Sequence, residues 1–559
     1  MQPISRLPIP DLDETCERYL KQVRPLLTDE EYAGTEAAAR HFQSARGKGR
    51  AMQDALIRFD KQAEQSWLID AWLQSYLDIR TPLPLASNVG FGIQKQGKSL
   101  AQWAAALAAV CADYHHGRIP PAETPQGVPV CMNQWAILQG ACRIPGKRSD
   151  SFHFAPKGSR HIGILHNGFY YRIAVLDEQY EAYHPDTFRQ AFEQILADTA
   201  QNPFPVATPC YLGGNKTARV CADLQKQADN ARLLEHIKQD LFHISISNDA
   251  LNADDDLTET TFQTQQRVWC YKPTTYCYNT ATGRLFLHCE HTWADGGALK
   301  GILTRATGKL DTPTGVKVLP AVKRCEWQLP PTLQKNWDKW QYQYTEKAAK
   351  MRVSSTLIPF NGLSVPQGVS HDALSQFLFQ YAQLSTYGRI RNTYEAVDAS
   401  HFQSGRTECI RPVSQESLAF IDTLLIGKPD RQMLKAALDE HKARIKTAKS
   451  GHGANRHLLG LQLMSPQVSA CLPAFFKNAG YRAFTTDFLS TSTVGDDTVV
   501  VNFAFAPTTP GGLGINYTLT QAGWLVTISY HADQEQEVRA FSAALNRGGR
   551  QLLEFLNAE

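Results

Sequence analysis

The stretch Cys289-Glu290-His291-Thr292-Trp293-Ala294-Asp295-Gly296-Gly297 sets a histidine at the end of an apparent strand, a carboxylate four residues on, and two glycines directly after. Residues 284–290, Arg-Leu-Phe-Leu-His-Cys-Glu, largely alternate apolar and polar side chains, the pattern of a half-buried strand. Asn279-Thr280-Ala281-Thr282-Gly283 reads as the turn that closes a hairpin with Val268–Tyr278. A histidine where a strand opens into a loop is placed to act as a general base on a hydroxyl or thiol. A nearby acid such as Asp295 can fix its tautomer and balance the charge it acquires. Spacing alone decides nothing: with 17 His and 54 acidic residues in the chain, roughly one or two such pairs arise by chance. His236/Asp240 and His531/Glu535 share the spacing, but neither has the strand before it nor the glycines after it.

Outward from this hairpin, Asp249–Thr261 is polar and acidic and reads as a loop. Helical runs such as 99–113 alternate with strands such as 161–166 and 169–176. Residues 11–80 are helix-like, with Thr28 before Glu30 and Glu31 as an N-cap. The proline-rich Leu329-Pro330-Pro331-Thr332 is the best boundary. Beyond it, helices near 333–351, 371–385, 430–448 and 534–556 alternate with strands near 499–506 and 524–530. Ser370 is set to cap the helix that buries Leu374, Phe377, Leu378 and Tyr381. Mixed elements in two halves predict an α/β architecture.

The length of 559 residues exceeds one typical core and predicts two domains. A net charge of +3 with no dense Lys/Arg cluster gives no footprint for nucleic acid. Twelve cysteines without a Cys-x-x-Cys pair point to buried thiols in a reducing compartment, not to disulfides or a metal site. No run of about 18 apolar residues offers a membrane span. Neither terminus carries a signal core or peroxisomal address, so cytoplasm is the expected location.

Several blocks in one order carry a resemblance. They are Leu7-Pro8-Ile9-Pro10-Asp11-Leu12, Cys142-Arg143-Ile144-Pro145-Gly146-Lys147, Glu290–Gly296, Gly405-Arg406-Thr407-Glu408-Cys409-Ile410-Arg411, Arg456-His457-Leu458-Leu459-Gly460-Leu461 and Ser490-Thr491-Ser492. Together they resemble the choline/carnitine O-acyltransferases over almost the whole chain. The resemblance implies two chloramphenicol-acetyltransferase-like domains, 66–330 and 331–559, with an active-site tunnel at their interface. N-terminal helices in 1–65 would pack on the C-terminal domain. By the same resemblance, His291 is the general base, Asp295 its acidic partner, and Ser492 a donor to the oxyanion. Tyr394, Thr407 and Arg456 would hold an acceptor carboxylate, with Ser490 beside them. A guanidinium suits a carboxylate and choline has none, so this set favours carnitine or a similar zwitterionic alcohol.

The implied reaction moves an acyl group between a thioester and that hydroxyl, with acyl-CoA as co-substrate and no bound cofactor or metal. Two departures stand out. Asn361–Val369, where the family places coenzyme A phosphate-gripping lysines before Ser370-His371-Asp372-Ala373, holds no basic residue, and Thr493 replaces a Gln. Lys339, Lys347 or Lys350 could compensate. Otherwise the donor is another thioester, such as an acyl-carrier protein. A homologue that binds ligand without turnover is a further alternative. A condensing domain sharing the His-x-x-x-Asp-Gly core would carry an Asp-Phe-Gly-Trp-Gly loop, and the sequence has none.

Overall fold

The computed structural model describes residues 4–124, 126–156, 159–312 and 314–558. The first three residues and Glu559, on which the readings of the termini partly rest, lie outside these. In chain order the strands are β1 (Val89–Ile93), β2 (Ala141–Ile144), β3 (Ser151–Phe154), β4 (His161–His166), β5 (Phe169–Ala174), β6 (His243–Ser247), β7 (Thr274–Asn279) and β8 (Arg284–Cys289). They continue with β9 (Lys323–Cys325), β10 (Met351–Pro359), β11 (Thr393–Asp398), β12 (Thr407–Ile410), β13 (Leu489–Ser492), β14 (Val500–Phe505), β15 (Leu513–Leu519) and β16 (Gly523–His531).

Two mixed sheets result, and the architecture is α/β. The first has eight strands in the order β14-β1-β8-β7-β6-β4-β5-β9; the second has six, β10-β16-β15-β13-β11-β12. β2 and β3 pair separately. The hairpin that carries the histidine forms as β7 and β8, in register from Thr274↔Cys289 to Asn279↔Arg284. It is shorter than expected: residues 268–273 are turn, not strand. Arg143 N donates to the Tyr271 carbonyl and Lys272 N to that of Trp269, so this backbone is satisfied outside the ladder. β8 sits mid-sheet beside β1, and β1 pairs in turn with β14. The first sheet therefore borrows its edge strand from the C-terminal half.

The stretch read as an acidic loop is a helix, Ala253–Phe262. Asn252 caps it by accepting from Asp255 N, and Asp254, Asp255 and Asp256 place negative charge at its first turn. Leu257 and Phe262 are wholly buried, with Phe286 and Val353 in the same cluster. The acidity belongs to a helix start, and these two apolar side chains dock it together with buried Asp256, which accepts from Asn279 at 2.7 Å and Arg284 at 3.0 Å.

Helix 100–115, capped by Ser99 with Gln102, buries Trp103, Leu107 and Val110 in one core with Phe91, Ile164 and Leu287 of the first sheet. Ser370 caps helix 371–387, whose Leu374, Phe377 and Leu378 pack with Ile515, Val526 and Ile528 of the second. Thr28 and Glu31 form a capping box on helix 29–43. The N-terminal helices place Leu12, Tyr19, Phe42 and Leu56 in a cluster with Leu458, Leu461, Phe475 and Phe484. Helix 331–348 packs Trp337 and Tyr344 with Tyr211, Trp269 and Trp327. The chain reaches the second sheet only at β10.

Candidate active site

His291 lies two residues beyond the end of β8. Its Nδ1 lies 2.8 Å from the Ala294 carbonyl oxygen and 3.8 Å from Asp295 Oδ1. A carbonyl can only accept, so Nδ1 carries the proton and Nε2 is left with a lone pair. The tautomer is therefore set by a backbone carbonyl; Asp295 stands just beyond hydrogen-bond range as a counter-charge. That corrects the expectation that the acid itself fixes the ring.

Asp295 is engaged elsewhere. Arg406, buried, grips it with two bonds, Nε to Oδ2 at 2.7 Å and Nη2 to Oδ1 at 2.8 Å. Gln134 donates to Oδ2 at 3.1 Å and accepts from Asp295 N at 2.8 Å. Burial opposes ionisation of Asp295, but the adjacent Arg406 outweighs it and holds the carboxyl below the usual range. Arg406 also donates to the carbonyls of Thr292 and His291 at 2.7 and 3.2 Å. A C-terminal-half arginine thus clamps the whole 291–295 turn.

A second buried arginine fixes the other side. Arg143 on β2 donates to Asp150 (2.8 Å), Glu290 (3.1 Å) and the Tyr76 carbonyl (2.7 Å). Trp293 Nε1 donates to Asn133 O at 2.9 Å while its ring stacks on Phe152 at 5.3 Å. Breaking such a buried, multiply bonded ion network costs about 3–5 kcal/mol. The loop that presents His291 is rigid for that reason.

The three acceptor candidates come together. Arg456, on helix 454–463, donates from Nη2 to Tyr394 OH at 3.0 Å and to Thr407 Oγ1 at 3.4 Å, and from Nε to the Thr407 carbonyl at 2.8 Å. Burial raises the Tyr394 phenol, so it stays neutral and can serve as a hydrogen-bond donor to a ligand. Asn455, beside Arg456 in the chain, accepts from Arg411 at 3.0 Å. Tyr394 is the parallel ladder partner of Ser490, which places the Ser490-Thr491-Ser492 strand alongside. Thr491 faces inward, donating to the Tyr394 carbonyl at 2.7 Å. The hydroxyls of Ser490 and Ser492 have no partner among the described residues. This strand's loop reaches the histidine turn: a Cβ at Gly296 would stand 2.9 Å from Val494 Cγ1, so glycine permits the approach.

Helix 69–77 was invisible to sequence reasoning as part of the site. Trp72 lies under both key guanidiniums, 5.4 Å from Arg406 and 4.7 Å from Arg456. Tyr76 meets the His291 ring edge-on at 5.6 Å. Gln134, Arg143 and Arg406 were likewise missed as site residues. The two arginines lie in blocks already noted, and for Arg143 the available signal is an arginine set among apolar residues, Ala141-Cys142 and Ile144-Pro145. The Asn361–Val369 segment runs between β10 and helix 371–387 and turns Leu363, Val365 and Val369 toward the second core. Of the proposed substitutes, Lys339 and Lys347 lie on helix 331–348 near Lys216, which sits 4.8 Å over Trp340. No described helix is long and apolar enough to cross a membrane.

The sequence profile described as Choline/Carnitine o-acyltransferase matches residues 7–547. Carnitine O-acetyltransferase of Rattus norvegicus is 28% identical over 555 residues, covering 93% of this chain and 88% of the relative. The Homo sapiens enzyme of that name is 27% identical with the same coverage. Mitochondrial carnitine O-palmitoyltransferase 2 of Bos taurus is 23% identical, covering 100% of this chain and 92% of the relative. Among solved structures, trichothecene 15-O-acetyltransferase from Fusarium sporotrichioides superposes with a TM-score of 0.38 at 11% identity, covering 86% of this chain and 94% of that one. A profile match over nearly all of the chain, on a fold that assembles the motif residues at one place, makes this protein a member of the choline/carnitine O-acyltransferase family and an acyltransferase.

Proposed function

We propose that the protein moves an acyl group reversibly between acyl-CoA and the hydroxyl of carnitine, with His291 as general base. The carrying observation is the Nδ1 to Ala294 carbonyl bond, which leaves Nε2 free to accept a proton. Nε2 takes the hydroxyl proton as the oxygen attacks the thioester carbonyl. The resulting oxyanion accepts a hydrogen bond from Ser492, a donor worth about 3 kcal/mol in the transition state. Collapse breaks the C–S bond, and the imidazolium returns its proton to the departing thiolate. Asp295 at 3.8 Å balances the transient charge while Arg406 keeps it ionised. No acyl-enzyme is required.

Arg456, Tyr394 and Thr407 support carnitine as acceptor, since they offer one cation and two hydroxyls to a carboxylate. The relatives named for carnitine support the same assignment. We read residues 1–65 as helices packed on the C-terminal half, 66–330 and 331–559 as the two acyltransferase halves, and the site as lying where these meet. Eight of the twelve cysteines are buried single thiols, which supports a reducing compartment such as the cytoplasm. The test is a mass-spectrometric assay of purified protein with acetyl-CoA and either L-carnitine or choline. Acetylcarnitine formation with little acetylcholine is expected; preference for choline would overturn the acceptor assignment.

A further inference from the structure

A cavity of about 500 Å³ lies apart from this site, and none of His291, Ser492, Tyr394, Thr407 or Arg456 lines it. One wall is the β2–β3 hairpin with its connecting turn, the other is formed by helices 214–224 and 228–239, and Trp269 closes the base. Its apolar lining comes from Ile144, Phe152, Ala218, Cys221, Leu234 and Ile237 on these walls. Most charges at its edge are spent. Arg143 is committed to Asp150 and Glu290, and Lys238 pairs with Glu235 at 2.7 Å. His153 is held neutral by burial and by Lys238. Lys147 at the mouth has no hydrogen bond or ion pair among the described residues. A cavity of this size with apolar side chains on both walls and one unspent cation in its lining is complementary to a molecule with an apolar body and a single negative charge.

We propose that this cavity binds an amphiphilic monocarboxylate, its aliphatic chain against the apolar side chains of the two walls and its carboxylate at Lys147. Such a ligand would sit one side chain from the catalytic loop, because Phe152 in the cavity wall stacks on Trp293. It would still not enter the acceptor site. The inference does not rest on the transfer reading, and binding is read without turnover.

Isothermal titration calorimetry of the full-length protein with hexanoate, octanoate and decanoate tests it. Affinity should rise roughly fourfold per methylene as apolar surface is buried. It should be unchanged by saturating L-carnitine and coenzyme A. Lys147→Glu, a change at an exposed side chain, should weaken decanoate at least tenfold while leaving decanol unaffected. Ala218→Trp, which fills the chamber, should abolish both. Absence of binding, affinity independent of chain length, displacement by carnitine or coenzyme A, or indifference of decanoate to Lys147→Glu would each overturn the assignment.

Discussion

At the scale of single residues, the site depends on which atom each polar group leaves unused. His291 spends Nδ1 on a carbonyl and keeps Nε2. His291→Ala should therefore leave the fold intact and lower turnover at least about a hundredfold, the lower end for a lost general base. Circular dichroism beside steady-state kinetics checks it, and a folded variant with near-normal turnover would remove His291 from the chemistry. Arg456 spends Nε and Nη2 on Thr407 and Tyr394, so its planar group is held ready for a carboxylate. Arg456→Asn should raise the carnitine KM by tenfold or more, about the 1.5–3 kcal/mol of a charged hydrogen bond, with little change for acyl-CoA. Equal effects on both substrates would exclude an acceptor role. His291, Asp295, Ser492, Tyr394, Thr407 and Arg456 are nominated from the sequence because each stands in a local motif. The Asp295–Arg406 pair was not, because its partners are 111 positions apart in the chain.

Among the elements, helix 69–77 ties the His291 turn to the Arg456–Tyr394–Thr407 cluster. Trp72 faces both Arg406 and Arg456, and each cation–π contact in such a setting contributes about 0.5–2 kcal/mol. Trp72→Ala should cut kcat/KM for carnitine about tenfold, with the loss in both kcat and KM because both arginines lose their platform. A change confined to acyl-CoA kinetics would argue against that bridge. The Asn361–Val369 segment offers the opposite lesson, since it holds no basic residue where the resemblance implies a grip on phosphate. An exposed phosphate without a basic partner gains little over water. Acetyl-dephospho-CoA should then bind within roughly tenfold of acetyl-CoA, and a strong preference for the 3′-phosphate would place a compensating cation elsewhere. Helix 253–262 was misread because acidic residues suit both a loop and a helix start. Only the burial of Leu257 and Phe262 separates the two.

For the molecule as a whole, the second sheet carries a buried carboxyl whose ionisation is linked to folding. Glu395 on β11, one residue from Tyr394, is fully buried, and burial together with the neighbouring Asp372 pushes its carboxyl well above the usual range. A carboxyl with a raised folded pKa contributes stability below the unfolded value and loses it as pH rises, because only the unfolded chain ionises freely. Glu395→Gln removes that linkage. Its Tm should match the wild type near pH 4.5 and exceed it by roughly 1–3 °C at pH 8. A gap independent of pH would mean that Glu395 is not protonated in the fold.

The sequence by itself determined the α/β class, six of the sixteen strands, the main caps and the family, because periodicity, caps and motifs are written within a few residues of one another. The tertiary structure alone decided what fixes the histidine's tautomer, which arginine holds Asp295, and that helix 69–77 joins the two sides of the site. It also decided that β14 crosses to complete the first sheet. These are contacts between segments distant in the chain, set by packing and by pairing of buried charge, and no local pattern encodes them.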